Sequence, residues 1–541
     1  MGFQVSPGVA VFETDLTNIV PNVDTSTAGT VGQFMWGPVG EVTIVTSEED
    51  LVSLFGKPTS TNYKDFLCAS SFLSYAKDLR VVRVCHSSAL NASATASAAG
   101  TGVLVKNQDA YEAMDFSASA NLFVAKYPGA LGNSLGVAYA NAVGFDAVDS
   151  NGDHTWPWRG LFQSAPDTNE FHIVVYDADG LITGTPDTAL EKFEYVSTST
   201  TAIYYDGSPA YFKTKINNES EWIWIGKSSL LTGSSDGVDL GAGADGSAIT
   251  SSERLTGFDL YNNTDVEVSI LFVAGADTVS AKYAIDSIAE VRKDIIVCVS
   301  VEENDVVNVA SETTSLSNIS STRTSLGNSS YAFMDGAYKY MYDRYNDVNR
   351  WIPLNGDIAG LMAKTENDFD AWFSPAGLVK GKIKNAIKLT GRNNQAVLDY
   401  LYTRNINPCV TFSNDGPVLF GDKTLLSKPS AFDRINVRRL FITLEKAIST
   451  AAKYMLFEIN DEVTRAQFVN MVEPFLRDVQ GRRGIYDFRV VADATNNTPD
   501  VIDRNEFRGD IYIKPARSIN YIRLNFIAVR SGVSFEEIVQ K

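Results

Sequence analysis

A helix-then-strand pattern occurs on both sides of a long segment of different character. The first copy is NYKDFLCASSFLSYAKD followed by RVVRVC, and its apolar residues recur at helical spacing: Phe66, Ala69, Leu73 and Ala76. The second copy runs from VEVSILFVAG through VSAKYAIDSIAEVRKD to IIVCVSV. Buried strands that alternate with amphipathic helices are typical of an α/β sheet. The pattern therefore predicts a middle α/β domain formed by residues 21–95 and 255–400.

The segment between the two copies, residues 96–254, is predicted to be an inserted β-rich domain. Stretches of small and polar residues bound it: SSALNASATASAAGTG at 87–102, and GKSSLLTGSSDGVDLGAGADGSAITSS at its end. Their composition is typical of flexible linkers. Between them lie strand patterns such as FHIVVYDADG and EWIWIG, separated by turn residues. Flexible boundaries and turn-rich strands predict a peripheral, outer position for this domain.

Residues 401–541 are predicted to form a C-terminal α/β domain. Two strong helical patterns, INVRRLFITLEKAISTAAKYML and EVTRAQFVNMVEPFLRDVQ, precede two strand patterns, GDIYIKP and INYIRLNFIAV. The sequence also begins with an alternating strand, VAVFET, just after Pro7 and Gly8. Such a strand has to pair with something, in this chain or in another. The expected fold is α+β or α/β and multidomain, with an extended strand arm towards either end.

Charge is distributed unevenly along the sequence. Of 46 basic and 65 acidic residues, 19 and 16 respectively lie within residues 421–541, so this region is net +3 and the remainder net −22. An acidic body argues against nucleic acid as a direct partner. No apolar stretch approaches the ~18 residues of a membrane span, so membrane insertion is not expected. The four cysteines are far apart, which predicts reduced, buried thiols.

The sequence predicts no catalytic, cofactor-binding or metal site. GSSDG at 233–237 matches the nucleophile-elbow pattern, with Ser235 as the candidate nucleophile, but all three histidines precede it. GAGADG at 241–246 matches the G-x-G-x-x-G spacing of a dinucleotide fingerprint, but it lies between SSDGVDL and SAITSSE and is interpreted as flexible linker. DSNGD at 149–153 lacks the glycine and glutamate that complete a calcium loop. A structural or binding protein is favoured, and a multidomain hydrolase using Ser235 is the alternative from a different class.

Several stretches occur in a characteristic order. They are SPGVAVFETDL, GTVGQFMWGPVGEVTIVTSEEDLVSLFG, FLSYAKDLRVVRV, AKYPGALGNSLGV, RWIPLNGDIAGLMAKTE, FSPAG, and TRNINPCVTFSNDGPVLFGDKTLL with INVRRLFITLEKAI. In this order they resemble the tail sheath proteins of contractile-tailed bacteriophages, which are related to the sheaths of R-type bacteriocins and type VI secretion systems. Ser374, Leu354-Asn355 and Asp422-Lys423 depart from the family's usual residues. The resemblance covers both ends and the middle, but little of 140–250.

The resemblance implies a structural subunit that polymerises as a hexameric helical stack around a tail tube. The stack contracts and drives the tube through the host envelope. The implied partners are other copies of the chain, the tube protein, and the baseplate and tail terminator proteins. The implied location is the virion, after assembly in the host cytoplasm, and no cofactor is implied. The sheath of a related contractile injection system, or a static capsid or tube protein, are the alternatives.

The resemblance also suggests two sets of contact residues. The N-terminal arm, residues 1–20, is expected to be donated to neighbouring subunits, and the C-terminal domain is expected to lie innermost. The intersubunit arm strands comprise Val9, Val11, Phe12, Ile522, Leu524 and Phe526. A helix near 464–480 supplies the tube-facing candidates: Arg465, Arg477, Arg482 and Arg483. Basic groups at a helix C-terminus also stabilise the helix dipole, so capping is the alternative interpretation.

Overall fold

The computed structural model describes residues 24–391 and 394–524. Its strands, in chain order, are β1 Ala28–Gly32, β2 Val42–Val45, β3 Leu79–Arg83, β4 Ser93–Ala94, β5 Phe123–Ala125, β6 Leu135–Ala140, β7 Glu170–Asp177, β8 Thr188–Ser197, β9 Ile223–Ile225, β10 Ser235–Asp239, β11 Ile270–Phe272, β12 Ile296–Ser300, β13 Ala332–Asp335, β14 Tyr338–Asp343, β15 Val348–Pro353, β16 Lys388–Leu389, β17 Cys409–Phe412, β18 Gly416–Leu419, β19 Ile485–Val491 and β20 Asp510–Pro515.

The α-helices alternate with these strands. They are α1 Glu48–Phe55, α2 Tyr63–Leu73, α3 Gln108–Glu112, α4 Ala142–Phe145, α5 Phe212–Glu219, α6 Ser251–Asp259, α7 Thr278–Tyr283, α8 Glu290–Arg292, α9 Glu303–Val306, α10 Glu312–Leu326, α11 Asn355–Asp368, α12 Gln395–Thr403, α13 Ile435–Ala452, α14 Glu462–Gly481 and α15 Pro499–Asp503. A π-helical turn, Ala284–Ala289, joins α7 to α8. None of the helices in the described residues is long and apolar enough to cross a membrane.

A six-stranded sheet forms the centre of the middle region, with the strand order β13-β12-β11-β1-β3-β2. All its pairs are parallel except β2–β3. Side chains alternate between the faces of a strand. A Cβ at Gly29 would meet Tyr261, just after α6, whereas one at Gly32 would meet Asp65 of α2. Helices α6 and α2 therefore cover opposite faces of the sheet.

Buried ion pairs join the elements that surround this sheet. Lys339 on β14 pairs with Asp357 of α11 at 2.8 Å, and both side chains are fully buried. Arg254 of α6 pairs with Asp65 of α2 at 3.0 Å. Removing one partner of such a pair leaves an uncompensated buried charge, so these contacts fix the helix positions.

The inserted segment forms two small antiparallel sheets, with the orders β10-β6-β7-β8 and β4-β5-β9. They share a core of residues from 92 to 240, into which Trp36 of the middle region also packs. Trp36 stacks against Trp222 at 5.6 Å and contacts the edge of Tyr127. This aromatic contact attaches the inserted segment to the middle region.

The prediction of two flexible linkers around the inserted segment is wrong. Leu90 bridges Ala244, and Ser93 bridges Gly241, so the two stretches pair with each other. The two paired stretches are rich in Ala, Ser and Gly, and these small side chains let the two backbones approach closely. A Cβ at Gly243 would lie 2.7 Å from the Gly129 carbonyl oxygen. The composition that suggested flexibility instead allows close packing.

The C-terminal region packs α13, α14 and the β19–β20 hairpin around one hydrophobic cluster, which also includes Trp372. The β17–β18 hairpin packs instead with the middle region through Cys409 and Leu419. The predicted multidomain α+β architecture is confirmed. The strand predicted for INYIRLNFIAV is absent from its described part, which ends at Leu524. All four cysteines are buried and unpaired, as predicted.

Candidate assembly surfaces

The β19–β20 hairpin has one face on the protein core and one face in solvent. The cross-strand pairs Phe488–Ile513 and Val490–Ile511 face the C-terminal cluster. Tyr512, between them, is 61% exposed. Each strand pairs only with the other among residues 24–391 and 394–524, so both outer edges are open. An open edge is a ready template for strand addition from another segment.

The chain that follows β20 is anchored at Asp422. The Asp422 carboxylate accepts hydrogen bonds from the Ser518 hydroxyl at 2.7 Å and from Asn520 Nδ2 at 2.9 Å. Asp422 is buried, and Asn520 also bonds the Tyr402 hydroxyl. These contacts fix the position of residues 518–520 on the subunit. Sequence analysis noted Asp422 only as a departure from the family pattern.

Beyond this anchor the chain exposes its apolar side chains. Ile522 and Leu524, predicted as intersubunit strand residues, are 77% and 73% exposed and belong to no strand. A strand needs a partner, and within this single chain the described part of the segment has none. Their role in assembly stays a prediction. The other predicted arm residues lie outside the described part of the chain: Val9, Val11, Phe12 and Phe526.

The first described residues are held against α13 and α11. The Thr25 backbone N–H and hydroxyl both donate to Glu366 Oε1, at 2.9 and 2.5 Å. Arg439 of α13 pairs with the same carboxylate and also donates to the Thr25 carbonyl. Lys446, about two turns further along α13, donates to the Asp24 carbonyl at 3.2 Å. The N-terminal segment therefore starts from the same C-terminal region that anchors the other end.

The four candidate arginines do not form one surface. Arg477 is on the solvent side of α14, where its side chain is 70% exposed and pairs with Glu473 at 3.2 Å. Arg465 lies near the start of α14 and donates to the Asp461 carbonyl at 2.9 Å. Arg477 is exposed whereas Arg465 is half-buried, and their separation of twelve positions places the two side chains about 120° apart around the helix.

Arg482 and Arg483 have different surroundings. Arg482 forms an ion pair with Asp370, and its guanidinium lies 5.1 Å from the Trp372 ring. The Trp372 indole N–H donates to the Arg482 carbonyl at 3.1 Å. Arg483 follows the helix end in the left-handed region, with φ of 67°. Arg482 therefore joins α14 to the segment after α11, a contact that sequence spacing cannot reveal.

The candidate nucleophile Ser235 has no catalytic surroundings. It is the first residue of β10, whereas a nucleophile elbow requires a strand-to-helix turn. His172, one of the three histidines, is stacked on Phe162 and contacts Phe145 edge-on. Burial lowers the pKa of His172, so this ring is neutral near pH 7. Among the residues that the structure describes, no group of three potential ligands could hold a metal ion.

Comparison with known families matches three parts of the chain. Residues 25–84 match the tail sheath protein Gp18 domain III N-terminal region. Residues 250–425 match the phage tail sheath protein central domain, and residues 427–528 match the phage tail sheath C-terminal domain. The unmatched interval between the first two contains both small antiparallel sheets.

Similar proteins cover nearly the whole chain. The tail sheath protein of Vibrio phage KVP40 is 32% identical, and that of Enterobacteria phage T4 is 33% identical, each over 99% of both chains. Among solved structures, the sheath tail protein Lin1278 from Listeria innocua has a TM-score of 0.57 at 14% identity, covering 90% of this chain and 94% of that one. The sheath of an extracellular contractile injection system in the contracted state has a TM-score of 0.55 at 13% identity, covering 99% and 100%. These two structures share the fold.

Proposed function

Because this chain belongs to the phage tail sheath protein family, we propose that it polymerises as a hexameric helical stack around a tail tube and contracts to drive the tube through the host envelope. Its relatives are structural components of contractile tails and not enzymes. The relatives with substantial sequence identity are phage proteins, whereas the injection-system sheath shares the fold at 13% identity. A phage virion is therefore the proposed location, with assembly in the host cytoplasm.

The observation that carries the proposal is the grouping of three features on the C-terminal region. The open hairpin edges, the start of the N-terminal segment and the anchor of the C-terminal segment all belong to it. We propose that residues 1–20 of a neighbouring subunit add a strand to β19 or β20. The exposed Ile522 and Leu524 begin a second arm that continues through Phe526. Strands exchanged in this way connect subunits while leaving each subunit rigid.

Further partners follow from the same proposal. The tube protein lies inside the stack, and the baseplate and tail terminator proteins contact its two ends. We propose that α14 faces the tube through Arg465 and Arg477, because both are on the helix surface. Arg482 is occupied by Asp370 within the subunit. The inserted segment, which attaches through Trp36, lies on the outside of the stack.

Deleting residues 1–20 tests the proposal. The truncated protein should fold and remain monomeric, because the deleted residues precede the Thr25 contacts that hold the chain to α13. The full chain should form helical polymers under the same conditions, with two lattices visible by electron microscopy. A static tube protein would give one lattice. Polymerisation of the truncated protein at the same concentration would contradict the role of the arm.

A further inference from the structure

The connection between α13 and α14 exposes a strongly apolar loop, residues 453–461, here called the apex loop. Its exposed large side chains are Tyr454, Leu456, Phe457 and Ile459, and Phe457 is completely exposed. Phe457 has a φ of 71°, which is unusual for a bulky residue. Asn460 Nδ2 donates to the Glu506 carbonyl at 2.8 Å and so ties the loop to the body. A tethered loop that presents bulky apolar groups to water indicates a contact surface.

A groove of about 640 Å³ lies near the opposite end of α14, here called the basic groove. Its aromatic walls are Trp372, Phe373 and Tyr486, and its charged residues are Lys380, Arg483 and Arg517. Among the described residues that line it, none is acidic. None of the three cations has an ion-pair partner in the described ranges, 24–391 and 394–524. The groove therefore suits an apolar group that is accompanied by a negative charge.

The apex loop carries both an apolar side chain and a negative charge. Glu458 is exposed next to Phe457, and no cation pairs with it in the described part of the chain. The apex loop precedes α14, whereas Arg483 and Tyr486 follow it. The 20 residues of α14 span about 30 Å, so the apex loop cannot reach the groove of its own subunit. The complementary occupant is a second copy of this chain.

We propose that the apex loop of one subunit inserts into the basic groove of the next, with Phe457 against the aromatic walls and Glu458 facing the cations. The inference rests on the proposed function, because it requires that the chain polymerises. A contact between two different surfaces is head-to-tail, and it generates a ring or an open helix. It also assigns Arg483 to the contact between subunits, which leaves Arg465 and Arg477 to face the tube.

Cross-linking within assembled polymers tests the contact. The variant combines Phe457→Cys with Tyr486→Cys, and both positions are exposed. All four native cysteines are buried, so a short bis-maleimide should react at the introduced thiols. A head-to-tail contact should give a ladder of covalent oligomers on a denaturing gel. The matched control combines Tyr205→Cys, a fully exposed site on the inserted segment, with Tyr486→Cys, and should give no ladder.

The outcomes separate this inference from the proposed function. Polymers that form normally but give no ladder would overturn the inference and leave the proposed function standing. A ladder of equal strength in the control would also overturn it. Failure of the unmodified chain to form any polymer would overturn both.

Charge exchange provides a second, independent readout. Glu458→Arg should raise the critical concentration for polymerisation up to about fivefold, as expected for loss of a rim ion pair. Adding Arg483→Glu to the same chain should restore it in part, because the introduced guanidinium then meets an introduced carboxylate, although Lys380 and Arg517 keep their positive charges. No rescue in the double variant, with each single variant folded by circular dichroism, would contradict the pairing.

Discussion

At the scale of single residues, the buried carboxyl of Asp335 makes the stability of this fold depend on pH. Asp335 ends β13, is fully buried, and accepts hydrogen bonds from the Ser300 hydroxyl at 2.6 Å and the Ala337 N–H at 3.2 Å. Burial raises its pKa from 3.8 to about 7, and the nearby Asp357 carboxylate adds to the rise. The folded chain therefore retains this proton at pH values where the unfolded chain has lost it.

Asp335→Asn should stabilise the protein above neutral pH. The contribution of Asp335 to stability is complete below about pH 4 and is lost as the pH rises to about 7. An asparagine does not titrate, so the variant does not lose stability in this way as the pH rises. The difference in unfolding free energy between variant and wild type should therefore grow in favour of the variant, by at most about 4 kcal/mol from pH 4 to pH 7. Urea denaturation of the arm-deleted protein at pH 4 and pH 8 measures the difference.

The control for Asp335 is Asp236→Asn, since Asp236 is an exposed carboxylate on β10. This variant should leave the pH dependence of stability as in wild type. If the unfolding free energies of wild type and Asp335→Asn changed in parallel with pH, the proton retained by the folded chain could not belong to Asp335.

At the scale of elements, periodicity was a good guide to the helices and strands that pack within the chain. The pattern INVRRLFITLEKAIST predicted α13, and GDIYIKP predicted β20, because burial of one face imposes a regular spacing. Amino-acid composition was a poor guide at the boundaries of the inserted segment, where it predicted flexible linkers. Leu90 and Ala244 pair across many intervening residues, and no local property of either stretch encodes its partner. The Arg482–Asp370 contact escaped prediction for the same reason.

Gly243→Ala should weaken the paired connection to the inserted segment. The added Cβ would lie 2.7 Å from the Gly129 carbonyl oxygen and 2.9 Å from the Ala92 Cβ, so one backbone has to move. We expect faster limited proteolysis within residues 87–102 and 241–250. The matched control is Gly160→Ala, where nothing lies within 4 Å of the added Cβ. Equal cleavage rates for both variants would show that the connection tolerates the change.

At the scale of the whole molecule, the inserted segment should be removable. Residues paired across an antiparallel bridge have Cα atoms roughly 5 Å apart. Leu90 and Ala244 can therefore be joined by an Asn-Gly turn in place of residues 91–243. Trp36 would lose its aromatic partners, so the shortened chain should also carry Trp36→Ser. We expect it to fold and to form sheaths of smaller outer diameter, measured by electron microscopy, whereas loss of folding would contradict a peripheral position.

The tube contact is also a property of the whole assembly. Arg465→Glu with Arg477→Glu should give polymers that form without a tube, directly in the contracted lattice. Each exposed ion pair contributes only about 0.2–1 kcal/mol, but the contact recurs in every subunit. Electron microscopy of mixtures with tubes measures the result, and Lys428→Glu, an exposed cation before α13, is the control. Normal extended sheaths from the double variant would place the tube contact elsewhere.

The anchoring of both terminal segments on the C-terminal region has a mechanical consequence. A pull on the N-terminal segment is transmitted at Thr25 to Arg439 and Lys446 of α13. A pull on the C-terminal segment is transmitted at Ser518 to Asp422, whose backbone carbonyl accepts the N–H of the first residue of α13 at 2.9 Å. Tension therefore crosses the subunit through α13 and bypasses the inserted segment. With both terminal segments held by neighbouring subunits, as proposed, mutations in the inserted segment should leave this path unchanged.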